Sequence, residues 1–527
     1  MNFSKLNASA ATLTKNRTKD SICPFSGMCS VCVEGCQGIC EVGRSSFRGH
    51  EVLYPQPFGT TTSASEKDYP VDYSHFNIMG TAVGAVGIEA DSDKAIFSNV
   101  KLDTKVGNGE GIKVKLPIVI PGIGSTDVAQ NNWDGLAIGA ALTGTILTIG
   151  ENVAGMDPKA IIEGGRVREA PDLRARVETF QNWQRDGYGA IVVQENIEDN
   201  RLGVMDYVIN ELGVEVVELK WGQGAKDIGG EVKISSLEKA QMLKKRGYIV
   251  LPDPENPYVI ESFNRGGFTE FERHSRVGMV EYESFMKRVE ELRAAGAKHI
   301  TLKTGAYRPA DLARAVKFAS EAKLDYLTVD GAGGGTGMSP WRMMNEWGVP
   351  LVELHALTRE YCRRLEEKGK YVPPLALAGG FILEDQMFKG LALGAPYAKF
   401  IGMARSPLAA AMVGKTIGGR IEEGKLPVYV ERFGQDVEEI FVTASELKEE
   451  LGEDTFKKVP PAALGVYTYY HRLAQGLQQL MCGSRKFALE HITRDDICAL
   501  TRESADITGI DYVMDMDREE VDKILES

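Results

Sequence analysis

Short apolar runs rich in β-branched residues alternate with longer amphipathic stretches from about residue 117 onward. Such runs predict strands and the stretches between them predict helices, so the pattern indicates βα units around a parallel sheet. Eight candidate strands occupy residues 116–120, 144–149, 189–194, 214–219, 298–303, 325–330, 373–378 and 398–402. Eight units predict a (β/α)₈ TIM barrel, while a doubly wound open sheet, which uses similar units, stays an alternative.

The same pattern divides the chain into four regions. Residues 1–60 are expected to form a cysteine-rich segment and a linker, and residues 61–116 a lead-in segment. The barrel is predicted over 117–470, with an insertion at about 221–297, because the stretch after the fourth strand is too long for a plain crossover. Residues 471–527 are predicted to be a C-terminal helical extension.

The charge and hydropathy of the 527-residue chain limit its expected partners and cellular location. Its formal net charge of −13, from 61 basic and 74 acidic residues, gives no electrostatic support for binding nucleic acid. The first twenty residues lack the apolar core of a signal peptide, and no later run is long enough to span a membrane. We therefore expect a cytoplasmic protein whose thiols stay reduced.

Five of the eight cysteines are crowded into one stretch near the start of the chain. A reducing compartment disfavours a disulfide knot, so clustered thiolates favour a metal site. A [4Fe–4S] cluster suits four closely spaced thiolates, while zinc and a thiol switch stay open as alternatives. The candidate ligands are Cys23, Cys29, Cys32, Cys36 and Cys40.

Glycines and cations follow the predicted strands at the ends where a TIM barrel carries its chemistry. Lys220 and Lys303 end the fourth and fifth strands. One interpretation is that each lysine places a positive charge beside a flavin ring. The alternative is that the two side chains extend to the rim of the barrel and keep their charges in water. The glycines suit close approach to a flat ligand or a phosphate, or simply tight turns. The candidate cofactor-binding residues at these ends are Gly122, Gly124, Ser125, Lys220, Lys303, Gly379, Gly380, Gly402 and Arg405.

Five motifs in fixed order carry a family resemblance: "KWGQGAKDIGG", "TLKTGA", "LTVDGAGGGTGMSP", "LALAGGF" and "AKFIGMARSP". They resemble the FMN-binding synthase domain of glutamate synthases, above all the stand-alone, archaeal-type members. The catalytic subunit of methylamine–glutamate N-methyltransferase is similar to the same group. The resemblance covers about residues 75 to 510. It implies a barrel that carries FMN, in which reduced flavin passes a hydride to an iminium formed from a 2-oxoacid and ammonia.

The resemblance also implies roles for residues within the matched motifs. "IGENV" stands where the family has "TGEGG", so asparagine and valine replace glycines after the acidic position, Glu151. The implied catalytic residues, which face the substrate or the flavin, are Glu151, Gln223, Lys226 and Lys303. The residues implied around the cofactor in the sixth-strand motif are Asp330, Gly333, Gly334 and Gly335.

Two departures from the family change the expected partners. The chain begins Met1-Asn2 rather than with the cysteine that hydrolyses glutamine, so we expect free ammonia or a separate ammonia-delivering subunit. The family's cluster cysteines are missing after the eighth strand, so we expect the N-terminal cysteines to bind a replacement iron–sulfur cluster. Its electron partner is expected to be ferredoxin or an NAD(P)H-oxidising subunit. We also expect a homo-oligomer without nucleic-acid or membrane partners.

Three functions fit these observations. The first is an FMN and iron–sulfur oxidoreductase of the glutamate synthase type, acting on the CH–NH₂ group of glutamate or a related amino acid. The second is a subunit that joins an amine to glutamate, of the N-methylglutamate synthase type. The third is a flavin-bearing electron-transfer subunit. A hydroxyacid oxidase is disfavoured because it needs a His-Arg pair at late strand ends, and His355 lies within a predicted helix.

Overall fold

The computed structural model describes residues 67–224, 228–335 and 339–527. Eight parallel strands close into a barrel because the last strand pairs with the first, Ile401 opposite Ile118. The predicted (β/α)₈ barrel is thereby confirmed and the open sheet excluded. The strands are β1 (Ile118–Ile123), β2 (Ile146–Ile149), β3 (Ala190–Glu195), β4 (Val216–Lys220), β5 (His299–Thr304), β6 (Leu327–Asp330), β7 (Leu375–Ala378) and β8 (Ala398–Gly402).

Eight helices surround the barrel and bury their apolar faces against the strands. Proline at the first position starts several of them, where a missing N–H costs nothing. They are α1 (Trp133–Leu142), α2 (Pro171–Trp183), α3 (Val204–Asn210), α4 (Tyr282–Ala295), α5 (Pro309–Glu321), α6 (Leu351–Glu367), α7 (Glu384–Leu393) and α8 (Arg405–Glu423). Shorter helices at the strand ends span Asp127–Asn131, Val153–Met156, Ile197–Leu202 and Trp341–Glu346.

A hairpin closes the N-terminal end of the barrel. Its strands, Thr104–Val106 and Ile112–Val114, pair antiparallel within the lead-in segment. Val106 and Val114 pack with Phe400 and other apolar residues from the bottoms of the barrel strands. This apolar plug fills the base, so the barrel opens only at the C-terminal ends of its strands.

The insertion after β4 folds as a small separate layer. Its three antiparallel strands, Glu231–Ile234, Ile249–Leu251 and Phe271–His274, pair with the third in the middle. Two helices, Leu237–Lys245 and Pro257–Asn264, cover the sheet over a core of their own. The helix α4, at the end of the stretch expected as insertion, instead packs on the barrel as the crossover to β5.

The C-terminal part adds a long helix, α9 (Pro461–Gly483), which packs against α1 and α8. Contact is close because glycines face it: a Cβ at Gly135 would lie 2.4 Å from Ala462 Cβ. The expected boundary between residues 470 and 471 falls inside this helix, so the extension begins before it. Helices Val428–Glu431, Val437–Ile440, Ala444–Leu451 and Glu453–Phe456 precede it, and Arg502–Thr508 and Arg518–Glu526 follow.

The lead-in segment and the C-terminal extension join in a two-stranded sheet, Phe76–Ile78 antiparallel to Ile497–Ala499. A further hairpin, Ile161–Glu163 with Arg166–Glu169, lies between β2 and α2. Short 3₁₀ turns occupy Tyr73–His75, Phe97–Asn99, Leu489–His491 and Arg494–Asp496. Across the described ranges, none of the helices is both long and apolar enough to cross a bilayer.

Candidate active site

The C-terminal ends of the barrel strands open into one cavity of about 960 Å³. This volume lies at the upper end of the ~300–1,000 Å³ typical of small-molecule sites, which leaves room for more than one ligand. Most of the expected site residues share its wall: Gly122, Gly124, Ser125, Glu151, Gln223, Lys303, Asp330, Gly334, Gly335, Gly379, Gly380, Gly402 and Arg405.

A glycine loop after β7 and the start of α8 form one end of the cavity. Gly379 and Gly380 have φ angles of 142° and 108°, which side-chain-bearing residues rarely adopt. A Cβ at Gly380 would lie 3.6 Å from the Gly333 carbonyl oxygen and 3.8 Å from Arg405 Nη2. Within the described chain, no carboxylate lies within ion-pair distance of Arg405. Bare backbone, an unpaired guanidinium and a helix N-terminus therefore converge where a phosphate could bind.

A buried ion pair stands in the middle of the mouth. Lys303, at 5% exposure, places its Nζ 3.2 Å from Asp330 Oδ2. Burial alone would lower the pKa of Lys303, but the charges of Asp330 and Glu218 outweigh it and raise that pKa. The lysine therefore stays protonated and presents a fixed positive charge to the cavity.

A second cluster lies on the side of β2 and β4. Lys220 Nζ donates to Glu151 Oε1 at 2.6 Å and to Gln223 Oε1 at 2.9 Å. Burial would raise the pKa of Glu151, but the charge and hydrogen bond of Lys220 outweigh it and hold that pKa at about 2. Glu151 is therefore a carboxylate at any physiological pH. It suits a group that holds a cation better than one that donates a proton.

The loop that carries Glu151 tolerates the loss of the family's glycine. Asn152 has a φ of 66°, in the left-handed region that asparagine adopts more readily than other side-chain-bearing residues. Its side chain accepts from Tyr248 OH at 3.2 Å and donates to Ser275 Oγ at 3.4 Å. Its backbone N–H donates to Asp199 at 2.9 Å. Asparagine thus keeps the turn and ties it to the insertion.

Two polar residues of the cavity were missed by the sequence analysis. Gln194, at the end of β3, is buried beneath the cavity floor and donates to Glu218 Oε1 at 2.5 Å. Its Oε1 has no hydrogen-bond partner among the described residues, and a Cβ at Gly122 would lie 2.8 Å from it. A glutamine closing the apolar run "AIVVQ" was the available signal. The other residue is Arg273, which lines the cavity from the insertion.

Other expected site residues lie elsewhere. Lys226 and the five N-terminal cysteines fall outside the residues that the structure describes. Lys220 lines an adjoining cavity of about 330 Å³, which shares Glu151 and Gln223 with the larger one. In residues 67–224, 228–335 and 339–527, no group of three or more histidine, cysteine or acidic residues could hold a metal ion.

The fold and this cavity define a TIM barrel whose mouth holds Lys220 and Lys303, each paired with a carboxylate, and a glycine loop beside Arg405. A family model described as "Conserved region in glutamate synthase" matches residues 273–413. Together with the curated relatives, this match shows that part of the chain is similar to glutamate synthases.

The curated relatives include the archaeal-type glutamate synthase [NADPH] of Thermotoga maritima, 25% identical over 60% of this chain and 52% of the relative. The archaeal glutamate synthase [NADPH] of Archaeoglobus fulgidus is 25% identical over 58% and 50%. The glutamate synthase large subunit-like protein YerD of Bacillus subtilis is 28% identical over 36% and 33%. The chain spans about half the length of the synthases that it matches.

Solved structures with a similar chain path include the recombinant flavin-binding domain of baker's yeast flavocytochrome b2. It is 15% identical, with a TM-score of 0.45 over 81% of this chain and 77% of that chain. A mandelate oxidase with (S)-mandelic acid is 13% identical, with a TM-score of 0.43 over 80% and 86%.

Proposed function

We propose that this chain is an FMN-dependent oxidoreductase of the glutamate synthase type that acts on the CH–NH₂ group of an amino acid. In the opposite direction it converts a 2-oxoacid and ammonia to that amino acid. One observation carries the proposal: the Glu151–Lys220–Gln223 cluster and the Gly380–Arg405 loop open onto the same cavity. A phosphate site and a charged reaction site are therefore within reach of one bound cofactor.

The residues present fit FMN. Arg405 and the bare backbone of the Gly379–Gly380 loop suit its phosphate. Lys303 offers a fixed positive charge to the ring. When bound, FMN supplies the donation and acceptance of hydride.

The chain's own residues suit an amine or iminium nitrogen. Glu151, held ionised, stabilises a cationic nitrogen that approaches it. Lys220 already donates to Glu151 and Gln223, and its third N–H, which meets no acceptor among the described residues, suits a carbonyl oxygen. The hydrogen bonds to Glu151 and Gln223 hold the Lys220 ammonium in place, so the substrate meets oriented charges. The described residues that line this cavity include no histidine; His355 lies in α6, where its ring bonds to Tyr73 OH.

Electrons and ammonia are proposed to come from outside the barrel. The cysteines between residues 23 and 40 are proposed to bind a [4Fe–4S] cluster that exchanges single electrons with ferredoxin or an NAD(P)H-oxidising subunit. The position of Tyr69 supports this, because a Cβ at Gly333 would lie only 3.7 Å from its ring. The first described residues thus lie beside the barrel mouth. Ammonia is proposed to come free or from a separate subunit.

The test begins with the protein purified without oxygen. Heat should release FMN, identified by chromatography, and release of FAD or of no flavin would contradict the proposal. Anaerobic addition of glutamate, alanine or N-methylglutamate should bleach the flavin absorbance, and 2-oxoglutarate with ammonia should restore it after reduction. Reoxidation of the flavin by 2-oxoglutarate with methylamine, and not with ammonia, would instead indicate the alternative, a subunit that joins an amine to glutamate. Glutamine should not replace ammonia. An enzyme that none of these compounds reduces or reoxidises would end the proposal.

A further inference from the structure

Glu218 is a buried carboxyl group in the interior of the barrel that the proposed chemistry leaves unused. It lies on β4 at 1% exposure, opposite Gln194 of β3 and Thr301 of β5. Because side chains alternate along a strand, Glu218 points to the same side as Lys220, which lies two residues further on at the mouth. A carboxylate that is so deeply buried normally requires a cation beside it.

Glu218 has no such cation in contact within the described part of the chain, where no lysine, arginine or histidine lies within ion-pair distance of it. Its Oε1 accepts from Gln194 Nε2 at 2.5 Å. Its Oε2 lies 3.4 Å from the hydroxyl oxygens of both Thr301 and Thr328. These neutral partners hold the carboxyl group in place but supply no charge to balance its ionised form.

Other buried glutamates near the strand ends show the usual arrangement. Glu195 Oε1 lies 2.8 Å from Arg288 Nε. Glu198 Oε2 lies 2.9 Å from Arg276 Nη1. Both carboxylates therefore have a guanidinium in contact, whereas the contacts of Glu218 are an amide and two hydroxyl groups.

The partners of Glu218 suit both of its protonation states. A threonine hydroxyl donates to a carboxylate or accepts from the O–H of a carboxylic acid, and it changes role by rotating its hydrogen alone. Either form of the carboxyl group therefore keeps a hydrogen bond to Thr301 or Thr328. Burial favours the neutral form and raises the pKa of Glu218, while the charge of Lys303 acts in the opposite direction. The protonation state thus depends on how strongly that lysine stabilises the carboxylate.

Lys303 connects this balance to the cavity above. Its Nζ lies 3.2 Å from Asp330 Oδ2 and its side chain lines the cavity, whereas Glu218 lies below. Negative charge added on the cavity side, as by reduction of a bound flavin, competes with Glu218 for the same cation. The carboxylate below is then less stabilised, and its neutral form is favoured.

Glu218 lies between the cavity and the apolar plug at the base of the barrel. Val216, two residues earlier on β4, belongs to that plug. Tyr326, which also belongs to it, stays a neutral phenol because burial and the charge of Glu218 raise its pKa. Lys220, the other cation that acts on Glu218, is already paired with Glu151. A proton therefore reaches Glu218 from the cavity side.

We propose that Glu218 is a redox-linked proton acceptor, which takes up a proton when a bound flavin receives an electron pair and releases it when the flavin is reoxidised. This inference rests on the proposed function, which supplies the flavin and its electron donor. The new O–H bond forms at Oε2 with a proton from the solvent, and no electron passes through the residue. Because this proton offsets the charge added above Lys303, the buried site gains less net charge on reduction.

The first measurement counts the protons that accompany reduction of the full chain loaded with FMN. Spectroelectrochemical titration at pH values between about 5 and 9 gives this number from the slope of the flavin midpoint potential against pH. The unchanged chain should take up about one proton more per electron pair than Glu218→Gln. This excess should appear between the pKa values that Glu218 has with oxidised and with reduced flavin. Below both values it stays protonated and above both it stays ionised, so the two proteins should agree there.

The second measurement identifies the group that is protonated. Infrared difference spectra, reduced minus oxidised, should show the C=O band of a carboxylic acid in the unchanged chain and lack it in Glu218→Gln. Labelling the side-chain carboxyl groups of glutamate with ¹³C should shift this band, whereas labelling those of aspartate should not. The labels test the inference on the unchanged chain if the variant fails to fold or to hold FMN.

Glu195→Gln is the matched control, because Glu195 is also buried but pairs with Arg288 of the outer helix α4. Its slope and its infrared band should equal those of the unchanged chain. Equal slopes for Glu218→Gln and the unchanged chain at every pH, or a band that persists in Glu218→Gln or moves only with labelled aspartate, would overturn the inference. Because an electrode replaces the amino acid in both measurements, those results would leave the proposed function standing. A chain that binds no FMN would end the proposed function and the inference together.

Discussion

The cationic side chains around the cavity differ in whether the chain supplies their counter-charge. Lys220 and Lys303 each have a carboxylate at hand, in Glu151 and Asp330. Arg405 and Arg273 have none among the described residues. The charges of Lys220 and Lys303 are therefore met within the chain, while the guanidinium of Arg405 is placed to meet the phosphate of a ligand.

Replacement of Arg405 by alanine should weaken FMN binding by about 1.5–3 kcal/mol, the range of a charge-assisted hydrogen bond. The fold should stay intact, because Arg405 ends in the cavity rather than in the core. Fluorescence titration of the flavin-free protein with FMN measures the dissociation constant. Arg420→Ala, on the same helix but paired with exposed Glu423, is the control and should leave the constant unchanged. Equal affinities of Arg405→Ala and the unchanged chain for FMN would show that the FMN phosphate does not bind at this loop.

Glu151→Gln should change the pH dependence of stability. The pKa of Glu151 is lowered from 4.5 to about 2 in the folded chain, so its contribution is fully present above about pH 4.5. It is lost as the pH falls towards 2, and the full shift corresponds to at most about 3 kcal/mol. Denaturant unfolding of both proteins between pH 7 and pH 3 should show their difference in unfolding free energy narrowing below pH 5. A constant difference over that range would show that Lys220 does not stabilise the carboxylate.

At the scale of whole elements, the site depends on a junction between the barrel and the insertion. Through Asn152, the turn after β2 is held on one side by Asp199 and on the other by Tyr248 and Ser275. A Cβ at Gly155 would lie 1.9 Å from Tyr248 OH, so the insertion approaches the turn too closely for any larger residue. The insertion therefore positions Glu151 as well as contributing Arg273.

Asn152 offers a test of this junction through its backbone conformation. Asn152→Ala and Asn152→Gly both lose the side-chain hydrogen bonds, but only alanine is strained at a φ of 66°. The glycine variant should therefore be more stable than the alanine variant by about 1–2 kcal/mol, the cost of the left-handed conformation. Thermal and denaturant unfolding measure this difference. At Glu290, exposed in the interior of α4, the order of the alanine and glycine variants should reverse, since glycine is the poorer helix former. Equal stability of the alanine and glycine variants at position 152 would mean that the turn changes its backbone conformation and so avoids the strain.

At the scale of the whole molecule, the barrel was predictable because its buried parallel strands are apolar runs with regular spacing. Lys303 and Arg405 were expected at the mouth because the C-terminal ends of barrel strands carry the chemistry of this fold, and Glu151 was expected there from the family resemblance. Arg273 was missed because its direction depends on the pairing of Val232 with Arg273 in the insertion. That register is set by contacts between distant segments, and the local pattern does not contain it.

The N-terminal cysteines require a test on the complete chain. Changing Cys32 and Cys36 to serine should abolish the broad visible absorbance of a [4Fe–4S] cluster and leave the FMN bands in place. Reduction of the flavin by a one-electron donor such as ferredoxin should stop, while reduction by an amino acid continues. Serine at Cys362, a buried cysteine of α6, is the control and should retain the cluster. Zinc without iron in anaerobic preparations would refute the proposed cluster.

The hairpin that plugs the base of the barrel determines the order in which bound molecules can leave the cavity. Because described apolar residues fill the base of the barrel, a molecule at the bottom of the cavity leaves only after any molecule above it has left. A flavin bound beneath the substrate would thus be retained for as long as substrate turns over above it, and its exchange would slow as the substrate concentration rises. Release of labelled FMN should therefore be slower with saturating amino acid than without it.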